Sequence, residues 1–210
     1  MGRGLLGGTF DPIHNGHVVL AHEAMVRLGL EGVWFVPASL PWMKRGAALS
    51  AGAHRRAMVE LAIAEEPRFH VSDAELDREG DTYTVETLEE LLTGEMAGAE
   101  WWFIMGADTL AAMHEWKDPR RILELARVAV ALRPGHGQLD LRELERVAPG
   151  AAERVTVIRM PPMDVSGTEV RRRAAAGEPL AGLVPQAVAA YIVEHGLYGG
   201  ARLRPAATGG

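Results

Sequence analysis

Gly7-Gly8-Thr9-Phe10-Asp11-Pro12-Ile13-His14-Asn15-Gly16-His17 lies between a short apolar run and an amphipathic one, and so reads as a turn from a strand into a helix. In a parallel α/β sheet such turns sit at the carboxyl ends of the strands, where ligands bind. Gly7 and Gly8 carry no Cβ and let the backbone approach a bulky anion closely. His14 and His17 then present two imidazoles at a helix start, where N–H groups and the helix dipole favour negative charge. The stretch therefore predicts a phosphate-handling turn. It is neither of the commonest kinds, because it lacks the Lys-Ser/Thr ending of a Walker A loop and the three-glycine spacing of a dinucleotide fingerprint.

Working outward, Leu5-Leu6 opens the strand before the turn. The helix after it carries Val18, Ala21, Ala24, Met25 and Leu28 at helical spacing, with Gly29 as its stop. Further strands are expected at 33–36, 69–71, 102–105, 128–132 and 155–158. Helices are expected at 53–64, around Val85 to Leu92, around Leu110, Ile122 and Leu144, and at 169–176 and 186–194. A surface loop is expected over 37–49 and a polar connection over 77–81. This alternation predicts an α/β fold: a Rossmann-like, doubly wound parallel sheet with helices on both faces and C-terminal helices closing the domain. Strands that are apolar throughout, rather than alternating, fit a sheet buried on both sides. One domain over 1–198 is expected, followed by a disordered Gly-, Ala- and Pro-rich tail over 199–210.

The 210 residues are 48% hydrophobic and 24% charged, as in an ordinary globular protein, and carry a formal net charge of −6. An acidic balance disfavours broad nucleic-acid binding and an RNA-binding module, while leaving room for a local basic pocket. The absence of cysteine excludes disulfides, thiolate-held zinc and a cysteine nucleophile. There is neither signal-peptide patterning nor an apolar run approaching the ~20 residues of a membrane span. The expected location is the cytoplasm and the expected partners are small molecules, with no nucleic acid and no membrane; the oligomeric state is not legible.

Several further residues have both a plain reading and a functional one. His14 and His17 are too few for zinc, since local spacing suggests no third ligand. Ser166-Gly167-Thr168-Glu169-Val170-Arg171 reads as a capping box between Ser166 and Glu169. Capping leaves Arg171, Arg172 and Arg173 unexplained, because cations in an early helical turn oppose the dipole unless an anion is near. Gly106-Ala107-Asp108 is either a turn with Asp108 as N-cap or a carboxylate at the ligand-binding edge. Thr84 is either a plain N-cap or the start of a helix whose N–H groups meet an anion, and the N–H of Trp116 is read in the same way. Trp116 stands in the polar connection His114-Glu115-Trp116-Lys117-Asp118-Pro119, where a core tryptophan is less expected and a stacking face is useful. Lys44 and Arg133 are solvated charges on the plain reading.

The stretch Gly7 to His17 resembles the His-x-Gly-His signature of the nucleotidylyltransferase superfamily, and its longer form resembles that of the bacterial nicotinate mononucleotide adenylyltransferases. The segment ending at Arg171 is similar to that family's Ile-Ser-Ser-Thr-x-Ile-Arg, departing from it at Val165, Gly167 and Val170. Pro41-Trp42-Met43-Lys44 keeps the lysine of Pro-Pro-His-Lys but differs at the residues next to it, while Leu132-Arg133-Pro134-Gly135 matches well. The resemblance runs from Leu5 to Tyr198. It implies transfer of AMP from ATP to nicotinate mononucleotide, with His14, His17 and Arg171 as catalytic groups. It implies ATP contacts from Gly7, Gly8, Thr9, Phe10, His14, His17, Gly106, Asp108, Ser166, Thr168 and Arg171. The acceptor would meet Lys44, Tyr83, Thr84, Trp116 and Arg133. Mg²⁺ is implied, carried by the triphosphate and water with no dedicated protein ligands. Nicotinamide mononucleotide or another phosphate acceptor is the alternative substrate, and a non-catalytic nucleotide-binding regulator is the alternative of another class.

Overall fold

The structure is a computed structural model that describes residues 2–41, 49–78, 80–93, 98–132, 134 and 139–199, with backbone only at 40, 41 and 93. Lys44 and Arg133, residues 42–48 of the expected loop, and the tail beyond Gly199 lie outside the described residues.

In chain order the elements are β1 (Gly2–Gly8), α1 (Asn15–Leu28), β2 (Val33–Pro37), β3 (Leu40–Pro41), α2 (Gly52–Ile63), β4 (Phe69–Val71), β5 (Asp81–Thr82), α3 (Thr84–Thr93), β6 (Glu100–Gly106), α4 (Ala107–Ala111), α5 (Pro119–Leu125), β7 (Arg127–Leu132), α6 (Arg142–Val147), α7 (Ala151–Arg154), β8 (Val155–Arg159), α8 (Gly167–Ala176) and α9 (Gln186–Glu194). Six strands form one parallel sheet in the order β4-β2-β1-β6-β7-β8. The order reverses between β1 and β6, and a crevice opens at the carboxyl ends of strands at such a switch point. Gly29 ends α1 in the left-handed conformation (φ 61°) with its N–H on the Met25 carbonyl, as its sequence position suggested. β3 and β5, which pair with each other in a separate two-stranded sheet, and the one-turn α7 were not expected.

Successive strand residues feed opposite faces. Leu6, Phe35, Ile104 and Ala129 pack with α1, α2, α8 and α9, whereas Leu5, Val36, Phe103 and Val128 pack with α3 to α7. This two-sided burial confirms the doubly wound arrangement and explains why these strands are apolar throughout. No helix among the described residues is long and apolar enough to cross a membrane.

One charged side chain belongs to the interior. On α2, Arg55 shares the buried stripe of Met58, Val59 and Ile63, and it is 2% exposed. Its guanidinium donates to the carbonyls of Thr9 (2.8 Å), Ala38, Ser39 and Ser50 (3.0 Å), thereby joining the ends of β1 and β2 to the start of α2. Burial lowers its pKa, and the charges of Asp11 and Glu75 and the Tyr198 hydroxyl oppose that shift. An unpaired buried acceptor costs ~1–3 kcal/mol, so Arg55→Ala should destabilise the fold by at least ~3 kcal/mol. Its neighbour Arg56 makes half-exposed pairs with Glu60 and Asp73, and Arg56→Ala should cost ~1 kcal/mol or less. Urea unfolding of both variants checks this, and equal losses would contradict the role given to Arg55.

Candidate active site

α1 begins at Asn15, so His14 is its N-cap residue, with extended backbone (φ −142°, ψ 169°), and His17 lies in its first turn. The His14 N–H donates to His17 Nδ1 at 3.2 Å. Nδ1 is therefore an acceptor, and in the neutral ring the proton sits on Nε2 as a donor. The two imidazoles stack with centroids 3.7 Å apart. Gly16 permits this, since a Cβ there would come within 3.1 Å of the His14 ring and of Val165. Phe10, buried and at φ 47°, sets its ring edge-on to His17 with centroids 5.1 Å apart. A non-glycine residue in that region stores ~1–3 kcal/mol and persists only where its surroundings hold it.

The surroundings hold this turn from several sides. Arg55 takes the Thr9 carbonyl. The buried Asp11 carboxylate accepts from the Tyr198 hydroxyl and the Ser50 N–H, and the Asp11 carbonyl accepts from Arg171 Nη1 at 2.7 Å. Asn15 donates through its backbone to Leu183 O and through its side chain to Gly182 O (2.8 Å).

Arg171 separates from the other two arginines, bonding to the Asp11 carbonyl and not to Glu169. Arg172 and Arg173 bind Glu169 and hold its carboxyl down at about 2, and Arg172 also binds Glu178. The expected capping box is thus only half formed. Ser166 Oγ accepts from the Glu169 N–H, but the Glu169 carboxylate turns to the arginines. Gly167, where the family pattern has serine, leaves room for the arginine: a Cβ there would sit 3.3 Å from Arg171 Nη1 and 3.6 Å from Asp11 O.

Three cavities open at the carboxyl edge of the sheet, and His17 lines all of them. One of about 420 Å³ is bounded by Thr9, Phe10, Asp11, His14, Thr168 and Arg171. One of about 240 Å³ runs along Gly16, Gly106, Asp108, Ala131 and Met163. The third, about 480 Å³, lies between β1 and β6 and reaches Gly7, Gly8, Glu75, Thr84, Asp108 and Trp116. The first has a cationic wall, while the other two meet along Gly106 and Asp108.

Four details depart from expectation. Gly106, not Asp108, is the N-cap of α4, and Asp108 lies exposed in its first turn. The Trp116 N–H is committed to the Met113 carbonyl at 3.1 Å, because Trp116 closes a 3-10 turn instead of starting a helix, while the residue still lines the third cavity. Tyr83 turns its ring beneath Lys117 Nζ, 4.5 Å away, and offers its backbone at the entry to α3. Ser166 lines none of the three cavities; it is exposed and caps α8.

Four residues that complete the site escaped sequence reading. Arg55 announces itself only as a charge at i, i+3, i+4 with an apolar stripe. Asp11 sat within the quoted motif but had no assigned partner. Glu75 lies in the β4–β5 connection and accepts from Thr87 Oγ1 at 2.9 Å. Burial pushes its pKa up, against the Thr87 hydrogen bond and the charges of Arg78 and Arg55. Tyr198 comes from the far end of the chain, and no local pattern links it to residue 11. Among the described residues, no group of three or more His, Cys, Asp or Glu side chains is placed to hold a metal ion.

The geometry agrees with the comparisons to known proteins. A cytidylyltransferase-like family model matches residues 5–173. A protein of Dehalococcoides mccartyi named "Probable nicotinate-nucleotide adenylyltransferase" is 43% identical over 93% of this chain and 96% of its own length. One of the same name from Roseiflexus sp. is 44% identical over the same shares. A solved structure of Plasmodium falciparum nicotinic acid mononucleotide adenylyltransferase, complexed with NaAD, shares the fold with a TM-score of 0.78, covering 95% of this chain and 98% of that one at 18% identity. This chain belongs to the nicotinate-nucleotide adenylyltransferase family of cytidylyltransferase-like nucleotidyltransferases.

Proposed function

We propose that the protein transfers AMP from ATP to nicotinate mononucleotide, yielding deamido-NAD and pyrophosphate in NAD biosynthesis. The observation that carries this reading is the meeting of three cavities at His17. The reaction likewise joins three parts at one atom, the α-phosphorus of ATP. The triphosphate suits the Arg171 cavity, adenosine suits the cavity with Gly106 and Asp108, and the pyridine nucleotide suits the one that ends at Thr84 and Trp116. A 5′-phosphate oxygen of the acceptor attacks the α-phosphorus in line, the new P–O bond forms, and the bond to the β-phosphate breaks with pyrophosphate leaving. A phosphate monoester is already ionised, so the site needs no strong base and acts by positioning and charge stabilisation.

His17 Nε2–H donates to an α-phosphate oxygen as charge builds there, with its ring held by the His14 N–H, and His14 and Arg171 serve the neighbouring phosphates. Asp108 serves the ribose. Both carboxylate oxygens of Asp11 are occupied by donors, which suits Mg²⁺ entering on the triphosphate with water as its further ligands. That ion would neutralise phosphate charge. A cytoplasmic location fits two nucleotide substrates.

The test of function is incubation with ATP, Mg²⁺ and each pyridine mononucleotide, with identification of the dinucleotide and of pyrophosphate. Binding without pyrophosphate release would make the protein a nucleotide-binding regulator instead. Within an active enzyme, His17→Ala should lower kcat by roughly 10²–10⁴-fold with little change in stability. A variant with near-normal kcat removes His17 from the centre.

Acceptor choice rests on the first turn of α3. Glu86 and Thr87 donate to Tyr83 O, which leaves the Thr84 and Val85 N–H groups for an anion. A nicotinate carboxylate accepts two charge-assisted bonds, whereas a nicotinamide offers one oxygen and a mismatched NH₂. Poorly paired donors cost ~1–3 kcal/mol each, so kcat/KM should favour the acid by at least ~10²-fold. Thr84→Ala should keep most of this preference and Trp116→Ala should weaken both acceptors. Glu75 faces the same cavity, and its raised pKa keeps it neutral to higher pH than an ordinary carboxyl. As pH rises and it ionises, KM for the acid should rise, and Glu75→Gln should flatten that limb. Comparable wild-type kcat/KM for the two mononucleotides would refute the carboxylate site.

A further inference from the structure

Asp11 joins the turn after β1 to the segment after α9. Its carboxylate is buried, and each oxygen has a donor: Tyr198 Oη on Oδ1 at 2.6 Å and the Ser50 N–H on Oδ2 at 3.1 Å. Tyr198 lies in the 3-10 turn Leu197–Gly199 after α9, at φ 64° and ψ 22°, a backbone state that disfavours a residue with a Cβ. Burial first, and then the hydrogen bond to Asp11, push the phenol well above its ordinary value, so it stays a donor throughout the working pH range. Tyr198 lines none of the three cavities that meet at His17.

The carbonyl of Asp11 accepts from Arg171 Nη1 at 2.7 Å, so Asp11 meets that guanidinium through its main chain. A carboxylate released from its donors would pair with Arg171, since charge-assisted bonds to arginine are the stronger ones. It would then compete with a triphosphate for the same cation. With both oxygens occupied, Asp11 instead faces the interior beside the Arg55 charge, and Arg171 is met by a neutral carbonyl.

We propose that Tyr198 is a positioning residue for nucleotide transfer: its hydroxyl holds the Asp11 carboxylate away from Arg171 and so keeps that cation available to the triphosphate. The proposal rests on reading the Arg171 cavity as the triphosphate site.

The test is a double-mutant cycle on ATP affinity, measured by calorimetry with Mg²⁺ well below the lowest thermal midpoint of the set. Tyr198→Phe, which keeps the ring and removes only the O–H, should weaken ATP about tenfold, the scale of one charge-assisted hydrogen bond. In the Arg171→Ala background the same change should cost less than twofold. Adding Asp11→Asn to Tyr198→Phe should restore most of the lost affinity, because an amide cannot neutralise Arg171; a merely structural prop would show no such rescue. An equal loss with and without Arg171, no loss at all, or no rescue by Asp11→Asn overturns the proposal. A wild type that binds ATP but transfers AMP to neither mononucleotide would fail the proposed function and leave the cycle readable.

Discussion

The Arg55 guanidinium is the constraint on which the active edge depends. A buried cation is tolerated only where its hydrogen bonds are satisfied and opposite charge is near. Here it is satisfied by main-chain carbonyls, and those carbonyls belong to the segments that must end at the same place: the turn after β1, the turn after β2 and the entry to α2. Arginine suits the task because its planar fork presents several fixed donors at once, which an ammonium on a flexible stem does not. Asp11 brings compensating charge and the Glu75 carboxyl lies nearby, and these two residues line different cavities. One buried group therefore fixes the turn after β1, whose Thr9 lines two of the cavities that meet at His17.

From that anchor the chemistry follows by short steps. The turn is strained at Phe10, and it is held by hydrogen bonds at Thr9, Asp11 and Asn15, with Arg55 and Arg171 among the donors. The result is an imidazole whose tautomer and orientation are set before substrate arrives. Donors fixed in advance cost no reorganisation as charge develops, which is where a phosphoryl-type transfer gains most of its rate.

Much of this was legible in the sequence. Apolar strands and helical periodicity carried the layer order, because a sheet buried on both faces leaves that signature. The turn from Gly7 to His17 was legible because glycine and histidine have few reasons to alternate so at a helix start. The misses share another cause. β3 and β5 are two-residue strands inside or beside expected loops and have too few residues for a periodicity to be read. The commitment of the Trp116 N–H depended on a 3-10 turn that ends there, whereas the next helix starts only at Pro119. Glu169 had two possible partners, its cap and its arginines, and spacing alone did not choose between them. Asp11 to Tyr198 spans 187 positions, and contacts of that kind follow from topology instead of local pattern.

The contacts at Thr9, Asp11 and Asn15 build the turn before a nucleotide arrives. The most direct measurement is a pair of crystal structures of this chain, free and with a non-hydrolysable ATP analogue. The account predicts that backbone atoms of residues 9–17 superpose within about 1 Å, with His17 Nε2 on the α-phosphate and Arg171 on the phosphates beyond it. A turn that refolds around the analogue, or a triphosphate seated away from Arg171, would contradict it.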